Sequence, residues 1–123
     1  MRVFLGGALA YTGQVPGSRY AAAMQTLHLE LQEGFDDDRV VARLNGVEVL
    51  NLDHVTTRMQ TGFAAAGSTQ AAEGKAVLEV SLPASGQQAS TEIDLIQTLW
   101  AGINVGPGRA IQFRISQAPF GYV

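Results

Sequence analysis

The sequence predicts an all-β chain: an antiparallel β-sandwich, jelly-roll-like, with about eight strands. Three observations carry that prediction. From residue 27 onward, apolar side chains fall on alternate positions in stretch after stretch, the mark of strands with one face in a core and one in solvent. Fourteen glycines and four prolines are spaced along the chain, as many short strands joined by turns require. Apolar residues make up 46% of the 123 and charged residues 15%, enough to fill one domain's core.

Taken in order, residues 1–23 differ in style. They lack alternation, are rich in Gly and Ala, and contain Pro16-Gly17, so they read as an N-terminal arm or edge strand ahead of a sandwich domain over 24–123. Within them, "MRVFLGGALAYTG" has one Arg, a short apolar stretch and Ala8-Leu9-Ala10 where an export signal would be cleaved. Two glycines interrupt that stretch, and an ordinary strand or arm is the preferred reading. The compartment stays open, with the cytoplasm favoured over export.

"LHLEL" then puts Leu27, Leu29 and Leu31 on one face and His28 and Glu30 on the other. "GFDDDRVVARLNGVEVLNLDHV" centres on Asn45-Gly46, whose readiness for positive φ at both positions suits a type I′ hairpin turn. That turn sets Leu44 opposite Val47, Arg43 opposite Glu48 and Ala42 opposite Val49. Shorter strands are expected over Val55–Gln60 and Phe63–Ala72, the second being Ala-rich enough to form a helical turn instead. "KAVLEVSL" and "TEIDL" alternate cleanly, as do "LWAGINV" and "IQFRI". Across "GPGR" only an odd-length loop keeps the apolar sides together, which pairs Ile103 with Ile111 and sets Trp100 opposite Arg114. The two aromatics of "QAPFGYV" must dock somewhere, as a strap closing the sandwich with Phe120 inserted or as an apolar edge for a second subunit.

Several function classes are disfavoured. The net charge is -3 with no Lys/Arg cluster, which argues against nucleic acid because phosphate neutralisation needs concentrated basic charge. No apolar run approaches the roughly 18–20 residues of a membrane span. With no cysteine, thiolate chemistry is absent. Asp36, Asp37 and Asp38, with Asp53 and His54 nearby, lack calcium-loop spacing, and successive side chains in an extended loop diverge, so a solvated turn is expected. His28 and His54 stand in different segments without metal-ligand spacing, and no G-x-S-x-G elbow or Gly-Lys-Ser/Thr loop occurs. No catalytic residue, metal or cofactor is therefore expected.

The outward face around Trp100, the single tryptophan, is the candidate site. An aromatic ringed by hydrogen-bonding side chains is what a sugar ring or a peptide anchor needs, and Trp100, Arg114 and Gln112 are the expected ligand-binding residues, with Glu92 and Asp94 on the preceding strand. The reading is a non-catalytic binding module for a carbohydrate or protein ligand. The alternatives are a self-associating scaffold protein, forming a homo-oligomer, and a hydrolase or metal-dependent enzyme built on the aspartates and His54. "LELQEGFDDDRVVARLNGVEV", "VTTRMQTGFA", "LEVSLP" and "PFGYV" resemble small uncharacterised bacterial all-β proteins of about 100–120 residues, over residues 24–123. That resemblance implies a compact β-sandwich and carries no site residues with it.

Overall fold

Eight strands form two four-stranded sheets packed face to face in a computed structural model of the chain, which describes residues 23–122. The arm or edge strand expected before Met24 lies outside the described residues, Ala23 excepted. In chain order the strands are β1 (Met24–Leu31), β2 (Asp38–Leu44), β3 (Val47–Val55), β4 (Ala65–Ala72), β5 (Gly74–Leu82), β6 (Gln87–Leu95), β7 (Leu99–Val105) and β8 (Ile111–Ser116). One sheet runs β4-β1-β7-β8 and the other β3-β2-β5-β6. β6 lies alongside β8 and β3 alongside β4, which brings the edges of the two layers together. No helix among the described residues is long and apolar enough to cross a membrane.

The core follows the predicted alternation. Leu27, Leu29 and Leu31 of β1, Leu78, Val80 and Leu82 of β5, Ile93 and Leu95 of β6, and Leu99, Ala101 and Ile103 of β7 are all buried. Burying each such side chain contributes roughly 1.5–3 kcal/mol, apart from the smaller alanine. One pair departs from the antiparallel expectation. β1 and β7 run parallel, with Leu27 beside Leu99, Leu29 beside Ala101 and Leu31 beside Ile103.

The Asn45-Gly46 turn forms as predicted, with φ of 51° and 82°, and it pairs Leu44 with Val47 and Arg43 with Glu48. Beyond that the register shifts. Ala42 stands opposite Leu50 rather than Val49, because a bulge inserts one extra residue into β3 and re-aims the strand.

The segment expected as a strand over Val55–Gln60 is instead the end of β3 followed by a loop. That loop is closed by an Arg58–Phe63 bridge and a Gly62 turn at φ 73°. The Ala-rich segment is a strand, not a helical turn, with Ala65, Gly67, Thr69 and Ala71 on its half-buried side. A Cβ on Gly67 would sit 2.8 Å from Leu50 Cδ1, so glycine there lets β3 and β4 approach.

Between β7 and β8 the odd loop is confirmed, and Ile103 and Ile111 share a face. The pairing is displaced by two residues, however: Val105 meets Ile111, Ile103 meets Phe113, and Trp100 meets Ser116 instead of Arg114. The reason is the turn itself. Pro107–Arg109 form a short 3-10 turn in which Gly108 and Arg109 take φ of 72° and 65°, closed by Gly106 N–H donating to Ala110 O at 2.7 Å.

Candidate functional site

The outer face of the β4-β1-β7-β8 sheet is ordered in cross-strand rows. The first holds Ser68, His28, Trp100 and Ser116, and the second Ala66, Glu30, Gly102 and Arg114. In the third, Asn104 faces Gln112, and Gln32 reaches Asn104 from just past β1, accepting from its Nδ2 at 2.9 Å. Trp100, Arg114 and Gln112 thus share this face but stand in three successive rows. Neighbouring rows are roughly 6.6 Å apart along the strands. Glu92 and Asp94 belong to the other sheet, on β6, where Asp94 pairs with Lys75 at 4.0 Å.

Trp100 is half-buried and stacks on His28, with ring centroids 4.9 Å apart and planes 17° from parallel. The imidazole covers one indole face. On the opposite side from β1 the cross-strand residue, on β8, is the small Ser116. His28 was not anticipated as a partner, because the pairing that sets it beside Trp100 joins strands more than sixty positions apart and leaves no local signature.

Residues 117–122, after β8, fold back as a strap across the second and third rows. A turn in which Ser116 Oγ accepts from Ala118 N–H at 3.0 Å starts the reversal. Phe120 lies over the Arg114 guanidinium, 4.8 Å from ring centroid to Cζ, a contact worth about 0.5–1 kcal/mol at an exposed site. The Tyr122 hydroxyl donates to Glu30 Oε1 and accepts from Gln32 Nε2 at 3.0 Å, and its ring meets Phe63 edge-on at 5.0 Å. Partial burial, reinforced by the Glu30 hydrogen bond, raises the phenol's pKa, so the proton that Glu30 accepts is firmly held.

The anchor beneath the strap is Gln32, only 2% exposed. Its amide fills the space over Gly102, where a Cβ would come within 2.6 Å of Gln32 Oε1. Asn104 completes the chain of bonds by accepting from Glu33 N–H at 2.9 Å. Phe120 is therefore held outside the sheet, half-buried, rather than inserted between the layers.

The aspartates do not gather. Asp38 is buried, ion-paired with Arg109, and accepts from Asp36 N–H at 2.8 Å. Asp37 pairs with His54, whose Nδ1 lies 2.8 Å from Asp37 Oδ1, and Asp53 lies 3.9 Å from Arg39. Asp36 is exposed. Among the described residues no three His, Asp or Glu side chains converge as a metal ion would need.

The Asp37–His54 pair has a pH signature. The hydrogen bond that the ring donates to Asp37, then the Asp37 charge, raises the His54 pKa above 6.5, with a smaller contribution from Asp53. A raised folded-state pKa means the pair's stabilisation is fully present below pH 6.5 and is lost as pH rises through the folded value. In an NMR titration His54 is expected to show a midpoint above 6.5, and Asp37→Asn to bring it down. An unmoved midpoint in that variant would sink this assignment.

In comparisons with known proteins, no family model matches the chain, and no curated protein matches it at a significant level.

Proposed function

We propose that this chain is a non-catalytic binding module that takes a neutral carbohydrate on the outer face of the β4-β1-β7-β8 sheet, centred on Trp100. The observation that carries this reading is the Trp100–His28 stack. It commits one face of the indole to the imidazole, and the neighbour across on β8 is the small Ser116. A pyranose with equatorial hydroxyls has an apolar C–H face to lay against an indole and a polar rim to satisfy. Ser68, Thr26 and Gln70 offer that rim uncharged hydrogen-bonding groups on the same face.

Charge favours a neutral ligand over an ionic one. Glu30 already accepts from Tyr122, and Arg114 already lies on Phe120. Both of these charges stand in the second row, whereas the row of Trp100 itself holds Ser68, His28 and Ser116 and no Asp, Glu, Lys or Arg, so a ligand centred on the indole meets chiefly hydrogen-bonding groups.

Because Trp100 is the single tryptophan, its emission reports on this face alone. Titration with cello- and xylo-oligosaccharides is expected to shift it, and Trp100→Ala to weaken binding at least about tenfold, the equivalent of ~1.4 kcal/mol. Emission unmoved by saturating sugar, with no heat of binding by calorimetry, would remove the reading.

A further inference from the structure

β4 forms one edge of its sheet, and that edge is built differently from the other three in the sandwich. We infer that it is an interaction surface for a second copy of this chain. The two β4 strands pair antiparallel about a two-fold axis and join two β4-β1-β7-β8 sheets into one. This does not depend on what the Trp100 face binds.

A sheet edge carries unpaired N–H and C=O groups that recruit another strand, and folded chains blunt it with charge, proline or bulges. β3 has register shifts and carries Glu48 and Asp53. β6 carries Glu92 and Asp94, and β8 carries Arg114. β4, "AAGSTQAA", has no charged residue and no proline, and it pairs with β1 without a break from Ala65 to Ala72. Which of its groups point outward follows from the bonds around it. Gln32 N–H donates to Ile103 O at 2.9 Å, so the even-numbered residues of β1 bond toward β7 and the odd-numbered ones toward β4. Glu73 N–H donating to Ala23 O at 2.7 Å agrees. Bonded residues alternate along an antiparallel ladder, so Ala66, Ser68, Gln70 and Ala72 aim their amides and carbonyls away from β1. Among the described residues, none of these backbone groups has a hydrogen-bond partner. Register then selects the occupant. A two-fold axis at Thr69 sets Thr69 against its own copy, Ser68 against Gln70, Gly67 against Ala71, and Ala66 against Ala72. Half-buried residues meet half-buried ones and exposed meet exposed, as a continuous sheet requires. Every outward amide meets an outward carbonyl, and no two charges are set face to face.

The test is sedimentation equilibrium on the full chain over a range of concentrations, with amide hydrogen exchange read residue by residue. A reversible dimer is expected, in which the amides of Ala66, Ser68, Gln70 and Ala72 exchange at least tenfold more slowly than in the diluted monomer. Ser68→Pro removes an outward amide without touching a bond to β1, a place where an edge strand tolerates proline. Gln70→Lys supplies the charge that the other edges already carry. Each is expected to raise the dissociation constant of the dimer at least tenfold, with the thermal midpoint of the diluted protein checking that the fold is kept. Gln88→Lys puts the same charge on β6 and should leave that constant within twofold. A dimer that neither β4 variant weakens would overturn the proposal, and so would a monomer at every concentration. A monomer in which those four amides are nonetheless protected would overturn it as well, and would give the edge to another segment of the same chain.

Discussion

Replacing Gly34 with alanine is expected to destabilise the fold by about 2–5 kcal/mol, the sum of a left-handed backbone cost and overpacking. Gly34 sits at φ +89°, and a Cβ there would lie 1.9 Å from the carbonyl oxygen of Val105 and 2.8 Å from its carbonyl carbon. Those are backbone atoms and cannot rotate away. Moving either strand end would break Val105 N–H to Glu33 O at 2.8 Å and Arg109 Nη1–H to Gly34 O at 3.1 Å. For a domain of this size the thermal midpoint should fall by roughly 8–20 °C. Gly46→Ala is the control, since Gly46 has a similar φ of +82° and nothing within 4 Å of its added Cβ. It isolates the backbone cost, about 1–2 kcal/mol. A Gly34→Ala midpoint no lower than that of Gly46→Ala would refute the close approach of this loop to β7.

Asp38→Ala is expected to cost about 2–3 kcal/mol, the scale of a hydrogen bond to a charged group plus a lost turn cap. The Asp38 side chain is 9% exposed and ties two distant turns together. One oxygen binds Arg109 of the β7–β8 turn, and the other accepts from Asp36 N–H at 2.8 Å. Arg109 is 37% exposed, so solvent screening discounts the ion pair and keeps the figure below that of a fully buried one. A double-mutant cycle with Arg109→Ala, read by chemical denaturation, should give a coupling of about 0.5–3 kcal/mol. Strict additivity would show that the two turns are not held by this pair. The consequence reaches function, because the same turn fixes where β8 starts and hence which residue stands opposite Trp100.

How much of this was legible in the sequence varies from residue to residue. The face each side chain takes was readable throughout β1, β5, β6 and β7, since a period of two is a local property. The Asn45-Gly46 hairpin was readable as well, because the backbone angles that turn needs are a property of those two residues. The bulge in β3 was not. It depends on how Leu50 and Leu52 fit against the core, and nothing in "VEVLNLDHV" announces which residue will be left over. The β7–β8 register was half legible: alternation settled which side faces inward, but the 3-10 turn at Pro107–Arg109 settled the pairing.

The candidate site divides in the same way. Trp100, Arg114 and Gln112 were correctly placed on one outward surface, yet their separation into three rows came from the two-residue displacement. His28 entered only through the parallel β1–β7 pairing, and Phe120 and Tyr122 only through the strap. What the sequence determined by itself was the set of strands, their inner faces and the Asn-Gly turn, all consequences of covalent geometry and hydrophobic spacing within a few residues. Only the tertiary structure decided which strands are neighbours, which rows form and what the closing segment covers. Those outcomes turn on contacts between residues far apart in the chain, where packing rather than local preference selects the partner.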